Sequence, residues 1–233
     1  ELGPALVRLR AAFAIAVIAA IVAGAVIDHR ATLAAVAFGF GVWLIAGSLT
    51  EFGGRVRRGR LRTMPRAAIG MSISHAALGF VVLGAVATAA WNVELIRTMK
   101  IGDTAEFAGF GVRLDQVVPL QGPNYAAERA TIVLSKDGQP YTTLTPERRL
   151  FTVQQRQVSE TSIHTNLLRD IYATLGEGDA AKGWTIRLYW NPLAPWIWLG
   201  AGLCALGGFV SLSDRRLRIG APRRSRPLAQ AAE

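Results

Sequence analysis

The chain has 233 residues, 51% of them hydrophobic, with a mean hydropathy of +0.29 and a formal net charge of +10. That is too apolar for an ordinary soluble domain of this size and excludes a simple cytosolic enzyme. A nucleic-acid binder needs its basic excess gathered on a solvated face, whereas here the whole excess lies in three short pieces, +1 over 1–10, +5 over 51–67 and +4 over 212–233.

Between these pieces lie four stretches free of Asp, Glu, Lys and Arg, at 11–27, 31–50, 67–93 and 188–213. A bilayer core about 30 Å thick takes roughly 20 apolar helical residues, so the pattern predicts four transmembrane helices. It divides the chain into a cytoplasmic flank 1–10, a helical hairpin 11–50, a basic loop 51–67, a third helix 68–91, an outer domain 92–193, a fourth helix 194–213 and a basic tail 214–233. The positive-inside bias puts the loop (Arg55, Arg57, Arg58, Arg60, Arg62, Arg66) and the tail (Arg215, Arg216, Arg218, Arg223, Arg224, Arg226) on the cytoplasmic side. The Asp28-His29-Arg30 turn and the neutral segment 92–193 then face outward. Trp91, Trp190, Trp196 and Trp198 gather at the outer interface, where an aromatic belt is expected. Topology accounts for the basic runs, and no nucleic-acid partner is expected.

In the hairpin, Ala16, Ala20 and Gly24 recur every fourth residue and Gly39, Gly41 and Gly47 thin the second helix, a pattern that lets helices approach closely in lipid. Trp43 reads as packing. The outer segment reads as β-rich: Ala105 to Phe107, Gly111 to Val118 and Ala130 to Leu134 precede Asp137-Gly138, a hairpin signal, and then Tyr141 to Leu144. Leu150 to Gln155 follows. In Glu160 to Leu175, the spacing of Ile163, Leu167, Leu168, Ile171 and Leu175 is helical, or fits an irregular, turn-rich path. Trp184 to Trp190 reads as a last strand, broken by Asn191-Pro192 before Pro195 opens the fourth helix. The single cysteine, Cys204, falls in the fourth apolar run, so the outer domain is expected to fold without disulfides. The chain begins at Glu1 and its first methionine is Met64, so it is expected to be a piece of a longer protein.

Three histidines are candidates for chemistry. His29, in a tight outer turn, reads as a solvated or headgroup-level imidazole, and His164, with no second metal-ligand residue at a convincing spacing, as a surface or capping histidine. His75 lies about eight residues into the third span, roughly 10 Å from its cytoplasmic border at 1.5 Å per residue. An ionisable group at that depth is costly and marks a functional hypothesis. Its helical face carries Met71, Ser72, Leu78, Gly79 and Val82. Met71 and Leu78 offer an apolar wall, and Gly79 a shallow place for a flat macrocycle. The residues alone leave two readings: an axial ligand, or an imidazole hydrogen-bonded to a serine or backbone group of another helix. Ser72 and Ser74 are nearby hydrogen-bonding candidates, with bonding back to their own helix favoured for both.

The run from Pro65-Arg66 through Met71-Ser72-Ile73-Ser74-His75 to Gly79 resembles the C-terminal part of the CcmF/NrfE family, the haem lyase subunit of bacterial cytochrome c maturation system I. So do Pro146-Glu147-Arg148-Arg149-Leu150-Phe151, Ser159-Glu160-Thr161-Ser162-Ile163, Arg169-Asp170-Ile171-Tyr172, and Gly183-Trp184 through Asn191-Pro192-Leu193 to Trp198-Leu199-Gly200, in that order. The resemblance implies a multi-pass protein of the bacterial inner membrane, with residues 92–193 periplasmic, that takes part in attaching haem to the Cys-x-x-Cys-His motif of apocytochrome c. It further implies a membrane haem b held by two histidines of different helices, of which His75 matches one, with the haem iron as its metal. Implied partners are apocytochrome c, the haem chaperone CcmE, CcmH/CcmI-type subunits and membrane lipid. The second histidine and the tryptophan-rich haem-delivery segment of the family have no counterpart in this sequence, so this piece alone is expected to be inactive. Glu147, Arg148, Arg149, Glu160, Arg169, Asp170 and Arg187 are either a polar docking surface or, more simply, internal ion pairs and turn caps. The rival readings are a non-catalytic membrane scaffold and a quinol-linked b-type cytochrome subunit.

Overall fold

The computed structural model describes residues 2–26, 32–57 and 64–214. His29 and the arginines at 58, 60, 62 and beyond 214 lie outside the described residues. The element order is α1 (Leu2–Val26), α2 (Thr32–Arg57) and α3 (Arg66–Ala90), then β1 (Val93–Met99), β2 (Thr104–Phe107), β3 (Phe110–Gln121), β4 (Tyr125–Lys136), β5 (Gln139–Leu144), β6 (Glu147–Phe151), β7 (Arg156–Glu160), β8 (Ser162–Asn166), β9 (Arg169–Asp179) and β10 (Gly183–Pro192), and last α4 (Ala194–Leu212). All four helices are long and apolar enough to cross a membrane.

In lipid, helices associate through close packing, which small residues permit. A Cβ built on Gly39 would fall 2.7 Å from the Cβ of Ala20 and 2.8 Å from the carbonyl oxygen of Ala16, so the small residues of α1 and α2 do meet. The same device recurs where the sequence reading did not point to it. Gly84 of α3 lies against the backbone of Leu193 and Ile197, Gly70 against Gly207 and Ser211, and Gly200 of α4 against Ala77 and Val81. Two further bonds tie α3 to α4. Ser74 Oγ donates to the Cys204 carbonyl at 3.3 Å, and Cys204 Sγ donates to the Ser74 carbonyl at 3.5 Å. Ser72 does bond back within its helix, to Ala68 O, but Ser74 reaches across instead.

The ten strands form two antiparallel sheets, one ordered β1-β10-β9-β8, the other β2-β3-β4-β6-β7 with β5 also paired to β4. Alternate residues of each face inward and close one core: Phe110, Val112, Leu114, Ile132 and Leu134 from the larger sheet, and Ile171, Ala173, Leu175, Ile186 and Leu188 from the smaller. Asp137 and Gly138, both at positive φ (52° and 76°), make the two-residue turn between β4 and β5 that the sequence signals.

Two expectations need correction. The segment from Glu160 to Leu175 holds no helix: it is the end of β7, then β8 and most of β9. A four-residue spacing such as Ile171 to Leu175 puts both residues on one face of a strand as well as of a helix, and pairing with β10 decides for the strand. The pair Asn191-Pro192 does not break β10 either, since it continues the ladder opposite Asp170 and Arg169. The chain turns one residue later, at Leu193, which adopts the left-handed conformation at φ 54°, and Pro195 then lies in the first turn of α4.

Candidate functional site

The site that the sequence singles out lies on the face of α3 turned from α4. His75 is exposed there, with Met71 one turn before it and Leu78 one turn after, 48% and 45% exposed. The imidazole Nδ1 lies 2.8 Å from the carbonyl oxygen of Met71. A carbonyl can only accept, so Nδ1 carries the proton and, in the neutral ring, the Nε2 lone pair stays free. This bond stays within the helix and does not cross to a neighbour. It fixes the tautomer and the ring orientation, the usual arrangement of an imidazole that ligates a metal through its other nitrogen.

Gly79 behaves differently from the expectation. A Cβ there would fall 2.6 Å from Ile45 Cγ1 and 2.7 Å from the carbonyl oxygen of Gly41. The shallow place is therefore filled by α2, because Gly41 and Gly79 face each other where the two helices cross. The open space lies one turn earlier, in a groove of about 200 Å³ between α1, α2 and α3 lined by Leu9, Trp43, Leu44, Gly47, Ser48, Glu51, Met71, Ser72 and His75. Sequence reasoning missed the α2 wall of this groove, and only the spacing of Trp43, Gly47 and Glu51 on one helix face hinted at it. The groove is smaller than most small-molecule sites, which run to about 300–1,000 Å³. Between these three helices the groove therefore has room for only part of a haem-sized molecule, with Met71 and His75 on its wall. Among the described residues no three His, Cys, Asp or Glu side chains are placed to hold a metal ion.

In the sandwich, His164 is half-buried, its Nδ1 3.3 Å from Thr142 Oγ1 and its ring edge-on to Tyr141. The polar residues flagged in the sequence resolve mostly into internal pairs. Glu147, 6% exposed, is held by Arg129 and Arg149, Arg149 also reaches Glu160, and Arg148 pairs with Glu128. Burial is the largest single influence on Glu147 and pushes its carboxyl up, yet the hydrogen bonds and charges of Arg149 and Arg129 together outweigh it and hold the group below the ordinary carboxylate range. Arg169 lies over the rings of Phe110 and Tyr141. Arg187 and Glu94 flank Tyr189, whose phenol is pushed up by its bond to Glu94 and then by burial.

Four membrane-crossing helices joined to an antiparallel β-sandwich, with a single oriented imidazole on a groove-facing helix, define a multi-pass membrane protein with an extramembrane domain. Residues 90–192 match the family described as the CcmF C-terminal beta-sandwich. The chain is 40% identical over 203 residues to the cytochrome c-type biogenesis protein CycK of Bradyrhizobium diazoefficiens, covering 83% of this chain and 31% of that protein. It is 39% identical to the cytochrome c-type biogenesis protein ccl1 of Rhodobacter capsulatus over 87% of this chain and 31% of that one, and 32% identical to CcmF of Escherichia coli over 76% and 27%. The chain belongs to the CcmF family of cytochrome c-type biogenesis proteins. It spans about a third of the length of these curated relatives. In fold it matches a solved cytochrome c haem lyase CcmF with a TM-score of 0.68 at 20% identity, over 91% of this chain and 34% of that structure.

Proposed function

We propose that this chain forms the C-terminal part of a bacterial inner-membrane haem lyase in cytochrome c maturation, and that His75 is one axial ligand of a haem b in the membrane. The observation that carries the reading is the bond from His75 Nδ1 to Met71 O, which leaves Nε2 free on an exposed apolar face. When bound, haem supplies a one-electron couple whose potential depends on its axial ligands, their hydrogen bonds and its burial. His75 would hold the iron through Nε2, the Met71 carbonyl would orient the ring and raise its basicity, and the Met71 and Leu78 side chains would exclude water from one edge. The second ligand would come from another helix of the full-length protein.

The positive-inside bias of the arginine-rich segments supports a periplasmic position for the sandwich, where apocytochrome c, CcmE and CcmH/CcmI-type subunits would meet it. The thiols of the attachment reaction would be those of the Cys-x-x-Cys-His motif of the apocytochrome. The test is the absorption spectrum of the full-length protein beside His75→Ala. Loss of the b-type band, with the protein still present in the membrane at its normal level, is expected. A normal band in the variant overturns the ligand assignment and favours a scaffold role for this helix. The chain purified alone is expected to attach no haem to a Cys-x-x-Cys-His peptide.

A further inference from the structure

The tip of the β8–β9 hairpin carries two large apolar side chains where a solvated turn ordinarily has Gly, Asn, Asp or Ser. Leu167 and Leu168 are 68% and 63% exposed. The tip is not loose: Asn166 Oδ1 accepts from the backbone N–H of Leu168 at 2.8 Å and of Arg169 at 3.0 Å. Two more bonds fasten it to the start of α4, since Trp196 Nε1 donates to Leu167 O at 3.0 Å and the N–H of Leu193 donates to Leu168 O at 2.8 Å.

The depth of that attachment follows from how α4 meets α3. Leu193 and Ile197 pack on Gly84, and α3 runs six residues further, to Ala90, which is about 9 Å of helix. The strand β10 descends beside this last part of α3, with Thr88 Oγ1 donating to the carbonyl of Pro192 at 3.1 Å. The hairpin tip therefore hangs below the outer end of α3, level with its apolar stretch. Trp198, 78% exposed, stands at the same level on α4. Interfacial elements bury their apolar face about 5–10 Å into the boundary between headgroups and acyl chains, the depth this geometry gives.

We infer that Leu167 and Leu168 form a membrane-inserted hairpin tip, which seats the sandwich on the lipid surface beside α4. The occupant of this patch is lipid: it is continuous with a spanning helix, is held at membrane depth by the bonds from Trp196 and Leu193, and its two exposed side chains are hydrocarbon. The experiment uses the full-length protein, its native cysteines replaced, in liposomes of phosphatidylethanolamine and phosphatidylglycerol. A nitroxide is placed at Leu167→Cys or Leu168→Cys, and at Ala181→Cys in the exposed turn at the far end of β9 and β10 as the water reference. Lipid insertion predicts high collision with oxygen and low collision with a water-soluble nickel chelate at 167 and 168, inverted at 181. High nickel collision at 167 and 168 overturns the inference, because the tip is then in water. Low collision with both reagents also overturns it, because protein then covers the tip. If one labelled variant fails to assemble, the other gives the same reading.

Discussion

Asp214, two residues past the end of α4, accepts a hydrogen bond from the backbone N–H of Ala67, the second residue of α3, at 3.1 Å. The first four N–H groups of a helix have no partner inside it, and in α3 the residue before the helix, Pro65, provides no side-chain cap. A residue 147 positions away supplies one, and in doing so it closes the α3–α4 pair at the end opposite the sandwich. Replacing a capping carboxylate by alanine costs about 1 kcal/mol, whereas asparagine caps nearly as well. Asp214→Ala is expected to lower the thermal midpoint of the protein in detergent and Asp214→Asn to restore most of the loss. Equal losses in the two variants would mean that the bond to Ala67 is not what stabilises.

The glycines of the helix pairs separate into those that touch a neighbour and those that do not. A Cβ on Gly84 would lie 2.8 Å from both Ile197 Cγ1 and the carbonyl oxygen of Leu193, while one on Gly208 meets nothing within 4 Å. Overpacking a close contact costs about 1–3 kcal/mol, so Gly84→Val is expected to loosen α3 from α4 and Gly208→Val to be tolerated. Thermal midpoints and the yield of folded protein after detergent extraction would compare them.

Acid should weaken the sandwich through Glu147. Its carboxyl is held below its ordinary range in the folded protein, so its contribution is complete above the unfolded value, about pH 4.3, and is lost as pH falls through the lower folded value. Glu147→Gln is expected to remove part of the acid limb while lowering stability near neutrality. Hydrogen exchange of β4 and β6 amides across that range would show it, and an unchanged acid limb in the variant would assign the loss to other carboxylates.

Cys204 and Ser74 exchange hydrogen bonds with each other's carbonyls, and a Cβ added to Gly207 would collide with Ser74 Oγ. Space at this crossing is set by the smallest partners. Ser74→Leu is therefore expected to be strongly destabilising and Cys204→Ala nearly neutral, as judged by protease resistance in membranes.

Much of this was legible in the sequence because charge and apolar length are strong, one-dimensional signals in membranes. Arg66 and the charge-free run behind it mark α3 closely, and Asp137-Gly138 marks its hairpin. The β8–β9 segment was ambiguous because a four-residue apolar repeat satisfies both periods. The strand β1 was missed: six of its seven residues are at least partly exposed, so Val93 to Met99 shows no inward alternation, and pairing with β10 makes it a strand. At the candidate site His75 stood out because an ionisable group inside an apolar run is rare. The role of Gly79 could not be read, since it depends on the partner helix, and nothing in the spacing of α3 says that Gly41 lies opposite.

The junction between sandwich and bundle has a mechanical consequence. β1 leaves α3 after Trp91 and Asn92, β10 enters α4 through Leu193 alone, and the pairing of these two strands, Val93 opposite Trp190, ends with no more than three residues left before either helix. A domain mounted on a single tether can swivel, but one mounted on two laced legs cannot turn without twisting both. A torque on the sandwich would therefore pass to α3 and α4 together and would not be absorbed in a linker.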